Sequence, residues 1–234
     1  MRKAKRTTGF LIATAIQKWD LHKRIALFVL ENAGSNGASL IFGFMLTAAV
    51  ISMWVMNTAT TIMLLPIGLA VVSVVKTTVN YLSDEDIESF QLALLLGIAY
   101  GATIGGMSTL IGTGPNGMLA AFMSDNYGLD ISFVDWMKVG VPLSAVMLPC
   151  SWFILTKVIF KVNFETSSET KELLSSMKDE LGSLKGPELK VLIVFFLTAM
   201  AWMFRTVLDN FSFLNGLSDA GIAMISALFL FLLP

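Results

Sequence analysis

The chain has 234 residues, of which 55% are hydrophobic and 14% are charged, and its mean hydropathy is +0.74. Because a soluble domain averages roughly a quarter charged residues, this composition excludes a soluble domain and predicts an all-α, polytopic membrane protein. The net charge is −1 and no basic patch with interleaved aromatic residues occurs, so no nucleic-acid partner is expected. The single cysteine, Cys150, excludes an internal disulfide.

The first segment, residues 1–37, is predicted to be a cytoplasmic tail followed by an interfacial helix. Residues 7–30 have an amphipathic pattern in which Trp19 lies beside Lys18 and Lys23. Trp and Lys together favour the membrane interface. A short spanning helix is the alternative, but the five ionisable side chains between residues 18 and 24 would be costly inside a bilayer.

Residues 38–75 contain no charged side chain, and a polar interruption at 56–61 reads Met-Asn-Thr-Ala-Thr-Thr. Two arms of about eighteen residues would each reach ~27 Å, which is close to a full span. Length alone therefore allows either a re-entrant hairpin or two spans. Loops at a membrane surface usually collect charged residues, whereas this tip has none, which favours the re-entrant hairpin. Non-helical backbone at membrane depth is tolerated where protein buries it or where it lines a polar cavity.

Residues 76–160 are predicted to form a polar loop, a broken transmembrane helix and a return helix. The acidic cluster at 84–88 is interpreted as a solvated loop without a role. The transmembrane helix, residues 92–123, is interrupted at 112–117 by Gly-Thr-Gly-Pro-Asn-Gly. A polar loop at 124–138 then leads to the return helix at 139–160.

The rest of the chain is predicted to comprise a cytoplasmic loop at 161–190, with a surface helix around 168–181, and transmembrane helices at 191–234. The last helix holds only about fourteen apolar residues after Asp219, whereas about twenty are typical of a span. The chain is therefore expected to be truncated at the start of a second half. Lysines concentrate between residues 157 and 190, while the 124–138 loop holds only Lys138. The lysine-rich loops should be cytoplasmic, and the plasma membrane is the expected location.

Both polar interruptions carry groups suited to binding an ion and an anion. Breaking a helix frees carbonyls at the end of its first half and N–H groups at the start of its second half. The helix dipoles make these ends attractive to cations and anions respectively. Asn57 and Thr58 add side-chain oxygen and amide groups at the first interruption, and Ser52 lies close to the end of the first arm.

The second interruption has the composition of a tight turn. Its glycines, Gly112, Gly114 and Gly117, permit a close approach of backbones. Pro115 biases Gly114 towards an extended conformation, and Asn116 can bridge the unwound segment. Ser, Thr and Asn also serve as interhelical glue in membranes, but two interruptions of matching composition favour a binding function.

Both interruptions resemble the signatures of a known family. The first motif is Ser-Met-Trp-Val-Met-Asn-Thr-Ala-Thr-Thr at 52–61, followed by Met-Leu-Leu-Pro-Ile at 63–67. The second is Ala-Tyr-Gly-Ala-Thr-Ile-Gly-Gly at 99–106, continuing as Thr-Leu-Ile-Gly-Thr-Gly-Pro-Asn at 109–116. They resemble the divalent anion/sodium symporters, which are dicarboxylate and citrate transporters. The resemblance covers residues 9–160, and beyond them only the layout matches.

The resemblance implies two inverted repeats, each with a re-entrant hairpin and a broken helix, and a homodimer in the full-length family. It implies that a Ser-Asn-Thr tip binds sodium and a substrate carboxylate. Residues expected to bind the substrate are Asn57, Thr58, Thr113, Gly114 and Pro115. Residues expected to bind sodium are Ser52, Asn57, Gly105, Gly112 and Asn116, together with Met56 through its backbone only.

Two departures from the family pattern matter. Met56 replaces the first Ser of the Ser-Asn-Thr tip, which removes one hydroxyl ligand, and no second Asn-Thr hairpin occurs in the chain. The expected function is sodium-coupled symport of a di- or tricarboxylate, and the chain alone is not expected to catalyse it. A sodium-independent anion exchanger and a non-transporting fragment are the alternatives. No catalytic residue set is present, so an enzyme is not expected.

Overall fold

The computed structural model describes residues 21–31, 34, 36–183, 186–208 and 218–232. These residues form helices, joined by short loops, and a single isolated β-bridge. The helices are α1 (Leu21–Glu31), α2 (Gly37–Ser52), α3 (Asn57–Thr78), α4 (Asp84–Met107), α5 (Gly114–Tyr127), α6 (Phe133–Phe153, continued by a π-helical segment at Ile154–Ile159), α7 (Ser168–Glu180), α8 (Gly186–Met203), α9 (Arg205–Leu208) and α10 (Asp219–Leu232).

The predicted all-α membrane architecture is confirmed. Within the described ranges four helices are long and apolar enough to cross a bilayer: α3, α4, α6 with its π-helical extension, and α8. Helix α2, with 16 residues, and helix α10, with 14, are apolar but shorter. The chain is therefore an integral membrane protein with several spans.

Helix α2 lies at the centre of the fold. It packs against α1, α3, α4 and α6, and Leu40, Ile41, Phe44, Met45 and Ala48 on it are almost completely buried. A helix that is apolar on all sides is stable only when protein or lipid covers every side. Protein covers most of α2, so the first arm of the hairpin is an interior element of the bundle.

Glycines bring α2 and α4 into backbone contact. A Cβ atom on Gly101 would lie 2.5 Å from the Met45 carbonyl oxygen, and one on Gly105 would lie 2.1 Å from that of Ala49. Small residues permit this close approach between membrane helices, where packing is the main source of association. Because the contact runs to the last turns of both helices, the end of α2 comes to lie beside the end of α4.

Both polar interruptions differ in position from the predictions. The first was predicted at 56–61, but α2 ends at Ser52 and α3 begins at Asn57, so residues 53–56 form the link. The helical turn accommodates the polar side chains that follow; the Thr61 hydroxyl, for example, donates to the Asn57 carbonyl oxygen over 2.9 Å. Asn57 and Thr58 therefore stand in the first turn of α3 and not in a loop.

The second interruption was predicted at 112–117, but the helix stops at Met107 and resumes at Gly114. Pro115 lies in the first turn of α5, where its missing N–H and fixed φ are no disadvantage. The predicted extended conformation at Gly114 is wrong, since the extended residue is Thr113, with φ −144° and ψ 150°.

The acidic cluster is not a loop, which corrects the prediction. Ser83 caps α4 by accepting from the Asp86 N–H over 3.1 Å, and the Asp86 carboxylate accepts in return from the Ser83 N–H over 3.1 Å. Asp84, Glu85 and Asp86 occupy the first turn, where negative charge offsets the helix dipole. The helix therefore begins at Asp84 and not near Leu92.

The other boundaries are closer to the predictions. Helix α7 coincides with the surface helix predicted at 168–181. The loop predicted at 124–138 shrinks to residues 128–132, because Gly128 ends α5 in a left-handed conformation and Ser132 caps α6. Of the predicted interfacial helix, the part from Leu21 to Glu31 is helical as α1, and its earlier residues lie outside the described ranges.

The membrane depth of the α2–α3 tip stays a prediction and can be measured by thiol labelling. Thr58 is exposed in the structure whereas Thr60 is completely buried, so a cysteine at Thr58 in a Cys150→Ser background is the suitable probe. A re-entrant tip should react slowly with a small polar thiol reagent and from one side only. A cysteine at the exposed Tyr81 serves as the fast-reacting control. Rapid labelling of residue 58 from the side opposite Lys76 would mean two full spans.

Candidate functional site

The two interruptions meet at Asn57. The Ser52 hydroxyl, completely buried at the end of α2, donates to the Asn57 side-chain oxygen over 2.8 Å. On the other side a Cβ atom on Gly106 would lie 2.1 Å from the same oxygen. The tip of the hairpin therefore rests directly on the last turn of α4, and only a glycine at position 106 leaves room for it.

A threonine in the second interruption ties the two links together. The hydroxyl of Thr109 donates to the Met53 carbonyl oxygen and accepts from the Gly112 N–H over 3.0 Å. Thr109 is completely buried. Thr109 and Gly106 both lie within the family-like motif of the sequence, but neither was assigned a role, because only the packed structure brings them to the hairpin tip.

Asn116 bridges the unwound segment, as its position in the sequence indicates. Its side-chain amide donates to the Gly106 carbonyl oxygen over 2.9 Å and to that of Thr109 over 2.8 Å. Both amide hydrogens are thereby used, which leaves its side-chain oxygen as the atom that could contact an ion. Among the described residues of α5, only Asn116 is buried. This bridge is therefore the main anchor of that helix.

Helix α6 supplies hydrogen-bond donors to carbonyl oxygens at the C-terminal end of α4. The Trp136 indole N–H donates to the Met107 oxygen over 2.9 Å, and the Ser144 hydroxyl donates to that of Ile104 over 2.8 Å. A Cβ atom on Gly140 would lie 2.7 Å from the oxygens of Met107 and Ser108. The carbonyl oxygens that the end of α4 frees on this side are therefore bound by groups of α6.

The atoms around Asn57 are neutral oxygens. They belong to the Ser52 hydroxyl, the Val55 carbonyl and the Asn57 side chain, while the Ser52 and Gly106 carbonyl oxygens lie against Gly112 in the second link. In the described part of the chain no group of three or more His, Cys, Asp or Glu side chains is placed to hold a metal ion. Uncharged oxygen ligands suit a hard cation of low charge and not zinc or a redox metal.

The structure separates the predicted site residues into two groups. Ser52, Gly105, Gly112 and Asn116, all expected at sodium, are buried, whereas Thr58, Gly114 and Pro115, expected at the substrate, are exposed. A Cβ atom on Gly114 would meet nothing within 4 Å.

Two predicted sodium residues have other contacts in the structure. Gly105 faces the α2 backbone, while its neighbour Gly106 faces Asn57. The Met56 side chain is 48% exposed, and its carbonyl oxygen accepts the first hydrogen bond of α3, from the Thr60 N–H over 3.0 Å. Gly106 is therefore a stronger candidate than Gly105 for contact with a bound ion.

Aromatic stacking joins the tip to the last helices. Trp54 in the first link stacks on Phe133 with ring centroids 6.0 Å apart, and Phe133 stacks on Trp202 at 4.8 Å. Asp219 accepts from the Phe133 N–H over 3.1 Å and pairs with Arg205 at 3.0 Å. The link at 53–56 is therefore held by Thr109 of the second link on one side and by aromatic side chains of α6 and α8 on the other.

A broken helix, a hairpin tip and convergent neutral oxygens inside a membrane bundle are typical of ion-coupled membrane transporters. Comparison with known families gives a match between residues 7–234 and the sodium:sulfate symporter transmembrane region. The chain belongs to this family. The match continues past Phe160, so the limit estimated from the motifs was too short. The family is one of transporters, and the chain is not an enzyme.

Two relatives match nearly the whole chain. A protein of Staphylococcus saprophyticus named sodium-dependent dicarboxylate transporter SdcS is 36% identical over 228 residues, which are 97% of this chain and 44% of the relative. A protein of the same name in Staphylococcus aureus strain USA300 is 33% identical over the same shares. The chain thus spans less than half the length of these relatives.

The Asn116 bridge should be a large contributor to stability. Asn116→Ala would remove the side-chain donor from the buried Gly106 and Thr109 carbonyl oxygens, and would leave the latter only the long contact from the Gly112 N–H, at 3.4 Å. A buried carbonyl oxygen that loses its donor costs about 1–3 kcal/mol. The purified chain in detergent should therefore melt at a clearly lower temperature. Asn126→Ala is the matched control, since this amide also lies on α5 and donates to a backbone carbonyl oxygen, but it is exposed and donates only within its own helix, to Phe122. Equal melting temperatures for the two variants would show that the bridge does not hold the unwound segment.

Proposed function

We propose that the chain provides an ion and substrate half-site for sodium-coupled symport of di- or tricarboxylates across the plasma membrane. The observation that carries the proposal is the seating of the Ser52–Asn57 pair on Gly106. One side-chain amide is held between the broken ends of two helix pairs. Such an amide can serve a cation through its oxygen and an anion through its nitrogen.

The helix ends around this point divide the site into a cation side and an anion side. Helices α2 and α4 both end here, at Ser52 and Met107, and their C-terminal carbonyls carry partial negative charge. Helices α3 and α5 both begin here, at Asn57 and Gly114, and their free N–H groups favour negative charge. Sodium would lie by the buried oxygens of the first pair, and a carboxylate by the N-termini of the second.

The substrate side would consist of Asn57 and Thr58 on α3 and of Thr113, Gly114 and Pro115 at the start of α5. Thr58 is exposed and offers a hydroxyl donor, and the open space at Gly114 allows a ligand to approach the backbone. Asn57 would couple the two ligands because it stands between them. A bound sodium ion would orient the Asn57 oxygen, and the nitrogen would then face the carboxylate.

The sodium side also includes a buried hydroxyl that has no partner in the described part of the chain. Thr60, one turn after Asn57, is completely buried, and its hydroxyl has no hydrogen-bond partner among the described residues. A buried hydroxyl without a partner is costly, and a nearby ion or ordered water would remove that cost. The relatives named sodium-dependent dicarboxylate transporters support sodium as the coupling ion.

Met56 favours one second candidate, a sodium-independent anion exchanger. In the family pattern a Ser would stand at this position, whereas the Met side chain offers no hydroxyl and its carbonyl is already engaged by Thr60. The buried oxygens at Ser52 and Asn57 remain, so we favour the sodium-coupled reaction. The lysine-rich loops would be cytoplasmic, and the family-length protein would be a homodimer.

Sodium binding can be tested on the 234-residue chain itself, because all the ligands named above lie within it. Sodium at ten times its Kd should stabilise the purified chain by about 1.4 kcal/mol relative to potassium at equal ionic strength. Asn57→Ala should abolish this difference, and Asn126→Ala should retain it. Met56→Ser should bind sodium equally or more tightly. If Asn57→Ala kept the full sodium response, the assigned site would be wrong.

Transport can be tested in a chimaera in which residues 7–234 replace the matching segment of the Staphylococcus saprophyticus relative. Sodium-dependent uptake of radiolabelled succinate by cells is the measurement. Thr58→Ala should lower uptake at limiting succinate roughly tenfold to a hundredfold, the loss expected for one hydrogen bond to a charged group. Thr103→Ala is the control, because this exposed hydroxyl donates only to its own helix, at Ala99. Uptake that is equal in sodium and potassium would favour the exchanger.

A further inference from the structure

A polar cavity of about 340 Å³ lies at the ends of α2 and α3 that are opposite to the first interruption. Its polar lining comes from Asn36, Tyr81, Lys157, Asn163 and Glu165. These residues belong to the N-terminal end of α2, the α3–α4 loop, the end of α6 and the segment that follows it. The sodium and substrate groups described above contribute nothing to this cavity.

The rim of the cavity is fixed by hydrogen bonds between separate parts of the chain. The Gly37 N–H donates to the Phe164 carbonyl oxygen over 2.9 Å. The Tyr81 hydroxyl accepts from the Glu165 N–H over 3.2 Å, and the Thr78 and Ser167 hydroxyls lie 2.8 Å apart. The segment after α6 is therefore held against the ends of α2 and α3, and the shape of the cavity does not depend on a ligand.

Two side chains of opposite charge line this cavity without neutralising each other. Within the described ranges neither Lys157 nor Glu165 forms an ion pair, with each other or with a third residue. Both residues are exposed. Separated positive and negative charges on one polar cavity are complementary to a ligand that carries both charges at a short distance from each other.

The position of the cavity relates it to the bilayer. Lys157 stands two residues before the end of the candidate span at Phe133–Ile159, in its π-helical segment. Beside it Val158 and Ile159 are each 57% exposed, so apolar surface continues from the cavity along the span. A lysine at the end of a span lies at the level of lipid headgroups. The cavity therefore opens where a headgroup sits above its acyl chains.

We propose that this cavity binds the headgroup of a phosphatidylethanolamine molecule. The lipid phosphate would bind the Lys157 ammonium and the side-chain amides of Asn36 and Asn163, and the lipid ammonium would bind the Glu165 carboxylate. Phosphatidylglycerol supplies only the phosphate. Phosphatidylcholine supplies both charges, but its quaternary ammonium has no hydrogen to donate to a carboxylate. The acyl chains would lie on the exposed face of α6.

Native mass spectrometry of the purified chain, titrated with the three lipids carrying identical acyl chains, tests the proposal. Phosphatidylethanolamine should bind roughly tenfold more tightly than either of the other two, the size of one charge-assisted hydrogen bond. Lys157→Met should weaken phosphatidylethanolamine and phosphatidylglycerol alike, by about tenfold. Glu165→Gln should reduce phosphatidylethanolamine to the level of phosphatidylglycerol and leave the latter unchanged.

Lys161→Met is the matched control, because Lys161 is exposed on the same segment but does not line the cavity. It should change none of the three affinities. An equal effect of Lys161→Met and Lys157→Met, or equal binding of all three lipids by the unaltered chain, would overturn the proposal in favour of general surface charge. Glycerophosphoethanolamine, which is water-soluble, should fail to displace the lipid; displacement at comparable concentration would overturn the assignment to a lipid.

Discussion

The backbone contact between α2 and α4 is the constraint on which the rest of the structure depends. Gly101 and Gly105 let the two helices approach until Met45 and Ala49 carbonyl oxygens touch the opposite backbone. In a bilayer no hydrophobic force draws helices together, so such close packing must supply the attraction. The contact sets the separation and the register of two helices that both end in polar links, and it thereby brings the links into hydrogen-bonding range.

Once the two helix ends are adjacent, their unsatisfied backbone groups need partners. Side chains supply them from three directions: Thr109 from the second link, Asn116 from the helix that follows it, and Trp136 and Ser144 from α6. What remains towards the hairpin is a small set of neutral oxygens around Asn57. The rigidity of the surroundings and the polarity of the site thus have one origin, which is the break in the helices.

The same need to give unsatisfied backbone groups a partner accounts for the opposite end of the bundle. There the ends of α2, α3 and α6 are joined through Gly37, Tyr81 and the segment around Phe164, and a polar cavity is left between them. The polar groups at the two ends of the first hairpin would serve different ligands. The neutral oxygens around Asn57 would suit a small ion, whereas the cavity at the other end carries a lysine and a glutamate and would suit a zwitterion.

The amino-acid sequence by itself determined the fold class and the family, because membrane helices need long apolar runs and each of the two motifs is a continuous stretch of sequence. It also singled out Ser52, Asn57 and Asn116, which the structure brings close together and whose binding roles stay proposals. The sequence did not determine the helix boundaries at the interruptions, because Asn, Thr and Pro residues are equally compatible with a loop and with a first helical turn. Only the packing of α3 and α5 in the structure placed these residues in a first helical turn.

Tertiary structure alone decided the roles of Gly106, Thr109 and Trp54. Nothing in the sequence distinguishes Gly105 from Gly106. In the structure the orientation of α4 about its axis places Gly105 against Ala49 and Gly106 against Asn57. Thr109 and Met53 are separated by 56 residues, and Lys157 and Asn36 meet at one cavity although no local pattern relates them. Local periodicity determines which face of a helix is apolar, whereas contacts between distant segments depend on the packing of the whole bundle.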